Sequence, residues 1–477
     1  MDGVIWSNVF VTFFYLIYFA VVITTIFIVI LDNRNPIKTM AWILVLFFLP
    51  VVGLLFYLFF GRSTRKEQLI TKKGYARLSK RPMMEYQTQE SLAGNVSKQR
   101  LVSFFTQVNS ALTFEGNQVE FYTNGYFMIQ SMIRELSRAR HHIHLEYYIF
   151  EDDAVGRLLR DVLIDRARAG VKVRVLYDDV GCWKVDHAFY EQMLCEGIEV
   201  QGFLKVRFPQ FTSKVNYRNH RKLTIIDGEV GFIGGMNIAE RYLKGVSWGR
   251  WRDTQVKLSG KAVYGLQTAF LTDWYAVDRS LITSAEYFPA MPSRGETIAQ
   301  IVTSDPVGEW KDIMQGLMMA ICSARHYFYV QSPYFVPTEQ IKTALQTAAL
   351  SGVDVRLMLP KRADTWLIHE SSLSYLEDMM KAGVKIYLYR RGFLHSKLMV
   401  CDDELSTVGS TNMDFRSFEH NFEANAFFYD KMTALAIKNI FLEDQKHCLL
   451  LSSKIWNKRS WKNKVIESVV RLLAPLL

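Results

Sequence analysis

The sequence predicts an α/β protein in which two duplicated lobes, each a helix-covered β-sheet, pack about a pseudo-two-fold axis and follow a two-helix transmembrane hairpin. Three observations carry this prediction. The chain opens with two long apolar runs, strand-like and helix-like stretches alternate beyond residue 110, and the order of those stretches occurs twice. Apolar runs of about 20 residues are long enough to cross a bilayer, and a repeated order of elements indicates a duplicated unit.

Residues 1–61 are predicted to form the hairpin, with helices at about 4–31 and 39–60. Neither helix range contains a charged residue, and the polar segment DNRNPIK separates them. A helix can cross a membrane because its backbone groups bond to one another, so two apolar helices joined by a turn are compatible with lipid. A secretory signal is a poor alternative, because Met1-Asp2-Gly3 lacks basic residues and the first apolar run is too long.

Residues 62–110 are predicted to be a basic juxtamembrane linker. Eight lysines and arginines lie from Arg62 to Arg81, whereas the loop between the helices has only Arg34 and Lys38. The positive-inside rule therefore predicts that the large C-terminal part of the chain is cytoplasmic. The basic run either contacts anionic lipid headgroups or is a solvated linker. The net charge of +10 agrees with an anionic partner, whether acidic lipid, nucleic acid or a phosphorylated substrate.

Residues 111–285 and 286–450 are predicted to be two copies of one α/β lobe. HHIHLEYYIF is typical of a strand, AVGRLLRDVLIDRARAG of an amphipathic helix that ends at glycine, and VKVRVLYD of a second strand. The same order of strand, helix and strand occurs in the second half. The matching segments are 141–150 and 326–335, 171–178 and 353–360, and 195–200 and 381–386. Two copies are too few for a solenoid, so a bilobed unit is expected.

Each lobe carries a histidine and a lysine separated by one residue and followed by an aspartate, in NHRKLTIIDG and LHSKLMVCDD. In a strand, residues i and i+2 project from the same face, so the histidine and lysine of each motif are expected to point together. The aspartate falls where the strand should end in a turn. If the lobes pack about a pseudo-two-fold axis, both histidine–lysine pairs converge in one cleft. The six motif residues are His220, Lys222, Asp227, His395, Lys397 and Asp402.

These motifs have the pattern HxKxxxxD, and the chain resembles the phospholipase D superfamily, in which that pattern occurs twice. The likeness extends to GGMN and GSTN downstream of the two histidines, where Gly235 stands in the position of Ser410. A further acidic residue is matched by the glutamate of NFEAN in the second lobe and, at a longer spacing, by the aspartate of WRDT in the first. The resemblance implies that both lobes are phospholipase D-like. The additional site residues that it implies are Asn237, Ser410, Asn412, Asp253 and Glu423.

Nearly the whole chain resembles the bacterial cardiolipin synthases, on the segments PVVGLLFYLFFGR, YYIF, WRDT, QSPYF, GSTNMDFRSF and RLLAPLL. This resemblance implies a membrane-bound phosphatidyltransferase that makes cardiolipin and glycerol from two phosphatidylglycerol molecules through a phosphohistidine. It also implies a multi-pass protein of the bacterial inner membrane with cytoplasmic lobes. The expected partners are phosphatidylglycerol and cardiolipin in an anionic membrane, with no nucleic acid, cofactor or metal.

The residue types agree with phosphodiester transfer. Imidazole has an ordinary pKa of about 6.5, so one histidine can attack phosphorus as a neutral base while the other, protonated, releases the leaving alcohol. By analogy with the superfamily, His220 is the expected nucleophile and His395 the acid and base. The lysines and asparagines are expected to bind the phosphoryl oxygens, and Asp253 and Glu423 to fix the tautomer of each ring. The two motif aspartates are either part of this machinery or structural residues of a turn.

Other interpretations stay open on the sequence alone. The same residues could use water as the acceptor, giving a phospholipase D-type hydrolase or a nuclease, and an inactive membrane scaffold is a third class. His142 and His144, on one presumed strand, either bind a metal or pack within the sheet, and Glu146 beside them is a candidate to line the cleft. The C-terminal segment 451–477 is predicted to be an amphipathic helix that either lies in the membrane interface or packs against the second lobe.

Overall fold

The computed structural model describes residues 2–31, 36–57, 96–205 and 217–473. These residues divide between two compact units, of which the first contains the N-terminal helices and the second contains both lobes. Most of the predicted basic linker, residues 62–95, lies outside the described residues, so its relation to lipid stays a prediction.

The first unit consists of three apolar helices, α1 (Asp2–Leu31), α2 (Pro36–Phe48) and α3 (Pro50–Phe56). Within the described ranges, one helix, at Val11–Leu31 of α1, is long and apolar enough to cross a membrane. The predicted second helix begins earlier than expected and is divided at Leu49, because Pro50 has no backbone N–H to donate and restricts the residue before it. Its last predicted residues, 58–60, lie outside the described part of the chain. The three helices bury Val29, Leu46 and Tyr57 between them.

The first lobe alternates strands and helices much as its sequence pattern predicts. Its strands are β1 (Thr113–Tyr122), β2 (His142–Tyr147), β3 (Lys172–Asp178), β4 (Glu199–Phe203), β5 (Arg218–Asn219), β6 (Lys222–Ile226), β7 (Val230–Gly234), β8 (Arg250–Arg252) and β9 (Gln255–Ser259). Its helices are α5 (Gly125–Leu136), α6 (Ala154–Arg168), α7 (His187–Cys195), α8 (Arg241–Lys244) and α9 (Val263–Asp278), and α4 (Val96–Asn109) precedes the lobe in the chain.

The second lobe repeats this order. Its strands are β10 (Thr297–Ser304), β11 (Tyr327–Gln331), β12 (Phe335–Val336), β13 (Asp354–Pro360), β14 (Lys385–Tyr389), β15 (Gly392–Leu394), β16 (Leu398–Cys401), β17 (Leu405–Gly409), β18 (Met413–Asp414), β19 (Asn421–Phe428) and β20 (Cys448–Leu450). Its helices are α10 (Asp312–Ser323), α11 (Glu339–Leu350), α12 (Trp366–Lys381), α13 (Phe415–Glu419) and α14 (Lys431–Gln445). Helix α4 packs here, where Phe105 lies 4.7 Å from the ring of Phe427.

The two lobes share one continuous sheet. From the centre outwards, the first lobe runs β1-β9-β7-β6-β2-β3-β4 and the second β10-β19-β17-β16-β11-β13-β14, with β20 added at the edge. The outer three strands of each series are parallel and the others antiparallel, and the antiparallel pair β1–β10 joins the series at the centre. This mirrored order confirms the predicted duplication and explains why corresponding residues of the lobes face one another.

Helix boundaries follow local signals in the sequence. Asp153 is the N-cap of helix α6, and its carboxylate accepts hydrogen bonds from the backbone N–H groups of Val155 and Gly156. It ends before Gly170, which adopts a φ of +89° that residues with a side chain avoid. Its buried face, formed by Val155, Leu159 and Leu163, covers strands β2 and β3.

The histidines of strand β2 are packing residues. His142 and His144 are fully buried, and the amide of Gln267 bonds to both, at 3.0 Å from His142 Nε2 and 2.8 Å from His144 Nδ1. The ring of His144 also stacks on Phe270 with 4.3 Å between the ring centroids. Of the two interpretations of these histidines, the structure therefore supports packing within the sheet.

The C-terminal segment contains helices α15 (Ser453–Asn457) and α16 (Trp461–Leu473). One face of α16 packs against α12, with Glu467 and Val470 buried and Arg471 donating to the carbonyl of Ser374 at 3.3 Å. The opposite face presents an exposed apolar stripe of Trp461, Val465, Val469 and Leu472. The structure therefore combines packing on the second lobe with a free apolar face.

Candidate active site

A cavity of about 390 Å³ lies between the lobes and is lined by both motif histidines. The predicted convergence of the two half-sites is thus the arrangement that the structure contains. Its lining residues are Tyr148, Ile149, Arg218, His220, Asn237, Arg241, Tyr242, Trp251, Tyr334, Val336, Asp364, Ile368, His395, Asn412, Asp414, Phe415, Arg416 and Asn421.

Each histidine reaches the cavity on a short strand that pairs with the opposite lobe. Strand β5 runs parallel to the start of β19, and the N–H of His220 donates to the carbonyl of Phe422 at 2.9 Å. Strand β15 runs parallel to β8, and the N–H of His395 donates to the carbonyl of Arg252 at 2.7 Å. The histidines therefore lie in a break between two short strands, and not within one continuous strand with their lysines as the spacing had suggested.

The exchange of strands gives each histidine a carboxylate from the other lobe. Nδ1 of His220 lies 3.0 Å from Oε1 of Glu423, and Nδ1 of His395 lies 2.6 Å from Oδ2 of Asp253. A carboxylate holds the proton on Nδ1, which leaves the lone pair on Nε2. Asp253 and Glu423 thus lie behind the rings, where their expected role places them, but no pattern in the sequence indicated that the pairing crosses between lobes.

The sequence difference between the lobes matches the lengths of these two acids. Gly235 lies against Asp253, and a Cβ atom at position 235 would clash with Asp253 Oδ1. In the other half, Ser410 donates to the longer side chain of Glu423 and accepts from the N–H of Ala424 at 3.0 Å. Ser410 therefore lies behind Glu423 and does not line the cavity.

Both lysines are buried beside their own histidines. Lys222 donates to the carbonyl of His220, and Lys397 donates to that of His395 and lies 3.0 Å from His395 Nδ1. Burial lowers the pKa of Lys222 to about 7 and that of Lys397 to about 8, although the neighbouring carboxylates partly oppose this change. The lysines therefore lose their protons near neutral pH.

The same burial keeps the imidazoles neutral. Burial lowers the pKa of His220 to about 4, an effect that Glu423 opposes and Lys222 reinforces. Burial and Lys397 lower the pKa of His395 to about 3. Both rings are thus neutral in the free protein at pH 7, whereas the sequence suggested that one of them is protonated. Burial by itself would raise the pKa of both carboxyls, but the adjacent histidines and lysines hold the pKa of Asp253 and of Glu423 below its usual value.

The two asparagines line the cavity with different partners. Asn237 accepts from the N–H of Ile149 at 3.1 Å and donates to the hydroxyl of Tyr242 at 2.6 Å. Oδ1 of Asn412 is buried, and no residue in the described part of the chain bonds to it. The side chain of Asn412 also bonds to Asp414. Asn412 therefore offers an acceptor oxygen to a hydroxyl of a bound group, and not the donor that the predicted binding of phosphoryl oxygens requires.

The motif aspartates lie away from the cavity, at the far ends of strands β6 and β16. The carboxylate of Asp227 accepts from the N–H groups of residues 140, 141 and 142, and that of Asp402 from those of residues 325, 326 and 327, at 2.7–3.0 Å for the shortest bond to each group. Their φ angles of +54° and +53° are tolerated by aspartate in tight turns. The geometry supports the structural alternative for both residues.

Sequence reasoning missed the aromatic and arginine side chains of the cavity. The ring centroid of Tyr148 lies 5.1 Å from that of His220, and that of Trp251 lies 5.2 Å from that of His395. The sequence contained a weak signal for Arg218, because it lies two residues before His220, and residues i and i+2 of a strand project from the same face. Trp251 had a signal in the segment WRDT, two residues before Asp253, whereas Arg241 had none, because only folding brings it to the second histidine. Glu146, the candidate beside the histidines of β2, is buried behind Asn219, which donates to it at 2.6 Å.

Comparisons with known proteins agree with this site. Residues 132–274 and 317–445 match the family described as "Cardiolipin synthase, PLD-like domain", and residues 16–62 match the "Phospholipase_D-nuclease N-terminal" family. Among curated relatives, the cardiolipin synthase of Geobacillus kaustophilus is 40% identical, over 99% of this chain and 95% of its own length. Cardiolipin synthase 2 of Bacillus anthracis is 39% identical, over 94% and 89% of the two chains.

A solved structure supports the fold. The phosphatidylserine synthase of Haemophilus influenzae superposes with a TM-score of 0.60 at 16% identity, covering 80% of this chain and 98% of its own. At this level of identity the likeness concerns the fold alone.

Substitution of Gly235 tests the support of the histidines. We expect Gly235→Ala to displace the carboxylate of Asp253, leave His395 without its partner and lower kcat at least about 100-fold, in line with the loss of an oriented catalytic base. Ser410→Ala removes one hydrogen bond to Glu423 and should lower kcat about 10-fold. Initial rates and a thermal unfolding midpoint for each variant check this, and a Gly235→Ala enzyme with normal kcat would contradict it.

Substitution of the motif aspartates separates stability from chemistry. Asp227→Ala removes the acceptor of three backbone N–H groups and should lower the free energy of unfolding by about 2–4 kcal/mol. Asp402→Asn keeps one acceptor oxygen, and asparagine tolerates the positive φ, so the free energy of unfolding should fall by less in this variant. The rate per folded molecule should change less than about 2-fold, and a large loss of rate in a fully folded Asp227→Ala protein would restore the catalytic interpretation.

Proposed function

The chain belongs to the cardiolipin synthases with phospholipase D-like domains, and we propose that it condenses two phosphatidylglycerol molecules through a phosphohistidine. It is an enzyme of phospholipid biosynthesis, a phosphatidyltransferase that makes cardiolipin. The observation that carries the mechanism is the single cavity in which two imidazoles, each held at Nδ1 by a carboxylate, expose Nε2.

In the first step, Nε2 of His220 attacks the phosphorus of one phosphatidylglycerol. The P–N bond forms as the bond from phosphorus to the headgroup glycerol oxygen breaks. His395 gives a proton from Nε2 to that oxygen, so glycerol leaves as a neutral alcohol. Glu423 stabilises the positive charge that develops on His220.

In the second step, a second phosphatidylglycerol enters with its free hydroxyl toward His395. Nε2 of His395 takes the hydroxyl proton, the oxygen attacks phosphorus, and the P–N bond to His220 breaks. Cardiolipin forms, and His395 is again protonated for the next donor. The two steps together convert two phosphatidylglycerols into cardiolipin and glycerol.

Proton supply to His395 depends on the substrate. In the free protein, burial and Lys397 keep His395 neutral at pH 7. A bound phosphodiester brings a negative charge into the same buried cavity, which raises the pKa of His395 and favours its protonated form. Lys222 and Lys397 bind the nonbridging oxygens, Oδ1 of Asn412 accepts a hydrogen bond from a headgroup hydroxyl, and Ser410 acts through Glu423.

Membrane association follows from the apolar helix α1 and from the family match at residues 16–62. We further propose that both apolar runs cross the bilayer and that the lobes are cytoplasmic. The uncharged run at 39–60 and the basic residues that follow it support this topology. A lipid-bound phosphatidyl-enzyme then meets a lipid alcohol before water, which favours transfer over hydrolysis.

Products from phosphatidylglycerol as the sole lipid test the function. The purified full-length enzyme in mixed micelles, without added metal, should give cardiolipin and glycerol by mass spectrometry, and His220→Ala and His395→Ala should lose at least about 1,000-fold in rate. Phosphatidic acid as the only lipid product would make water the acceptor and the enzyme a phospholipase.

The roles of the two histidines are separated by a phosphatidyl ester of p-nitrophenol, whose leaving group needs no proton. His395→Ala should then release a burst of p-nitrophenol and retain the phosphatidyl group on His220, whereas His220→Ala should give no burst. A burst in His220→Ala instead would exchange the two assignments.

The buried lysines set the pH dependence. Lys222 and Lys397 are charged below their pKa values of about 7 and about 8, so kcat/KM should fall as pH rises through this range and the positive charge on the phosphate is lost. It should fall again as pH decreases toward about 4, where His220 becomes protonated. Lys222→Arg keeps its charge and should move the alkaline decline upward. A kcat/KM that stays constant up to about pH 9 would contradict the assignment.

A further inference from the structure

On the basis of the proposed function, we propose that Arg241 and Trp251 bind the phosphate of the acceptor phosphatidylglycerol. Cardiolipin formation brings two phosphodiester anions into one cavity. The motif lysines bind the phosphate that reacts, so the phosphate that the acceptor carries through the reaction needs donors of its own. Arg241 and Trp251 form this second site on the His395 side of the cavity.

Two buried donors on this side have no acceptor. Nε of Arg241 and Nε1 of Trp251 are shielded from solvent, and neither forms a hydrogen bond within the ranges that the structure describes. Both side chains line the catalytic cavity. A buried N–H without an acceptor is unfavourable, so this pair is matched to a ligand that brings an oxygen acceptor.

The two donors lie side by side and are held in place. The guanidinium carbon of Arg241 lies 5.8 Å from the ring of Trp251 and 6.0 Å from that of Tyr242. Nη1 of Arg241 bonds to Glu151 at 2.9 Å, which orients the guanidinium without using Nε. A fixed arginine fork beside an indole N–H suits the oxygens of a phosphodiester monoanion.

The position agrees with the chemistry of the second step. Trp251 belongs to strand β8, which pairs with β15, the strand that immediately precedes His395. The ring centroid of Trp251 lies 5.2 Å from that of His395. The acceptor hydroxyl must lie at Nε2 of His395 to lose its proton. In phosphatidylglycerol only the three carbons of the headgroup glycerol separate that hydroxyl from the phosphate. The phosphate of the acceptor therefore also lies on the His395 side of the cavity, a few bond lengths from the hydroxyl.

The arginine on the His220 side is differently placed. Arg218 is fully buried and pairs with the buried carboxylate of Asp178 at 3.4 Å. Arg241 is paired as well, with Glu151, but that carboxylate is 37% exposed, whereas both members of the Arg218–Asp178 pair are buried. The choice of the His395 side for the second anion rests on the position of the acceptor hydroxyl.

Two acceptors with the same glycerol hydroxyl, of which only phosphatidylglycerol carries a phosphate, test the inference. Full-length enzyme in phosphatidylglycerol micelles makes cardiolipin with a lipid acceptor, and with isotopically labelled glycerol it exchanges the label into phosphatidylglycerol through the same phosphatidyl-enzyme. The measured quantity is the ratio of cardiolipin formation to glycerol incorporation. We expect Arg241→Ala to lower this ratio about 10-fold or more and Trp251→Phe, which keeps the ring and loses the N–H, about 3-fold or more.

Further variants and outcomes decide between the explanations. Arg241→Lys keeps the charge without the fork and should give an intermediate ratio, and Arg294→Ala, at the exposed pair with Glu229, should leave the ratio unchanged. A proportional fall of both reactions in Arg241→Ala and Trp251→Phe would overturn the acceptor site while the proposed function stands. Wild-type enzyme that forms only phosphatidic acid would instead overturn the function and the acceptor site with it.

Discussion

Each histidine of the site is completed by a carboxylate from the opposite lobe, and most of the architecture follows from this exchange. The short strands β5 and β15 cross to the other lobe, where parallel pairing with β19 and β8 sets the position of His220 and His395. Neither lobe holds a complete histidine–acid pair, so a separated lobe would have an unsupported imidazole. The duplication therefore gives one active site and not two.

Burial of six ionisable groups in one cavity requires that they compensate one another. Burial lowers the pKa of each histidine and lysine and would raise that of each carboxyl, yet the positive neighbours hold Asp253 and Glu423 in the ionised state. Opposite charges in the same cavity reduce the cost of burying each of them. The site therefore holds neutral imidazoles beside lysines whose pKa is lowered toward neutrality, and this state responds to an anionic substrate.

The symmetry of the lobes is not complete, and the differences lie where the chemistry is supported. Arg221 pairs with Asp273 of its own lobe, whereas Arg252 reaches Asp444 of the second lobe. Beside these carboxylates, Glu146 occupies in the first lobe the place that Gln331 has in the second. Burial and Asp273 raise the pKa of Glu146 well above its usual value, and in the second lobe the amide of Gln331 donates to Asp444 at 2.9 Å. Each lobe thus places a polar side chain from the same strand position beside its carboxylate.

Local patterns predict the main alternating strands and helices of each lobe, the duplication and the six motif residues, because alternation, helix caps and repeated spacing act over short stretches of chain. They do not predict the short strands beside the two histidines. The sequence also determined the apolar N-terminal runs, although Pro50 divides the second. The tertiary fold, and not the local sequence, pairs Glu423 with His220 and Asp253 with His395. It also places Asp227 and Asp402 where they bond to the backbone of neighbouring strands. The tertiary fold also brings Arg241 and Trp251 to His395 from another part of the chain. Such contacts depend on which strands pair across the sheet, and they exist only after the chain has closed around one cavity.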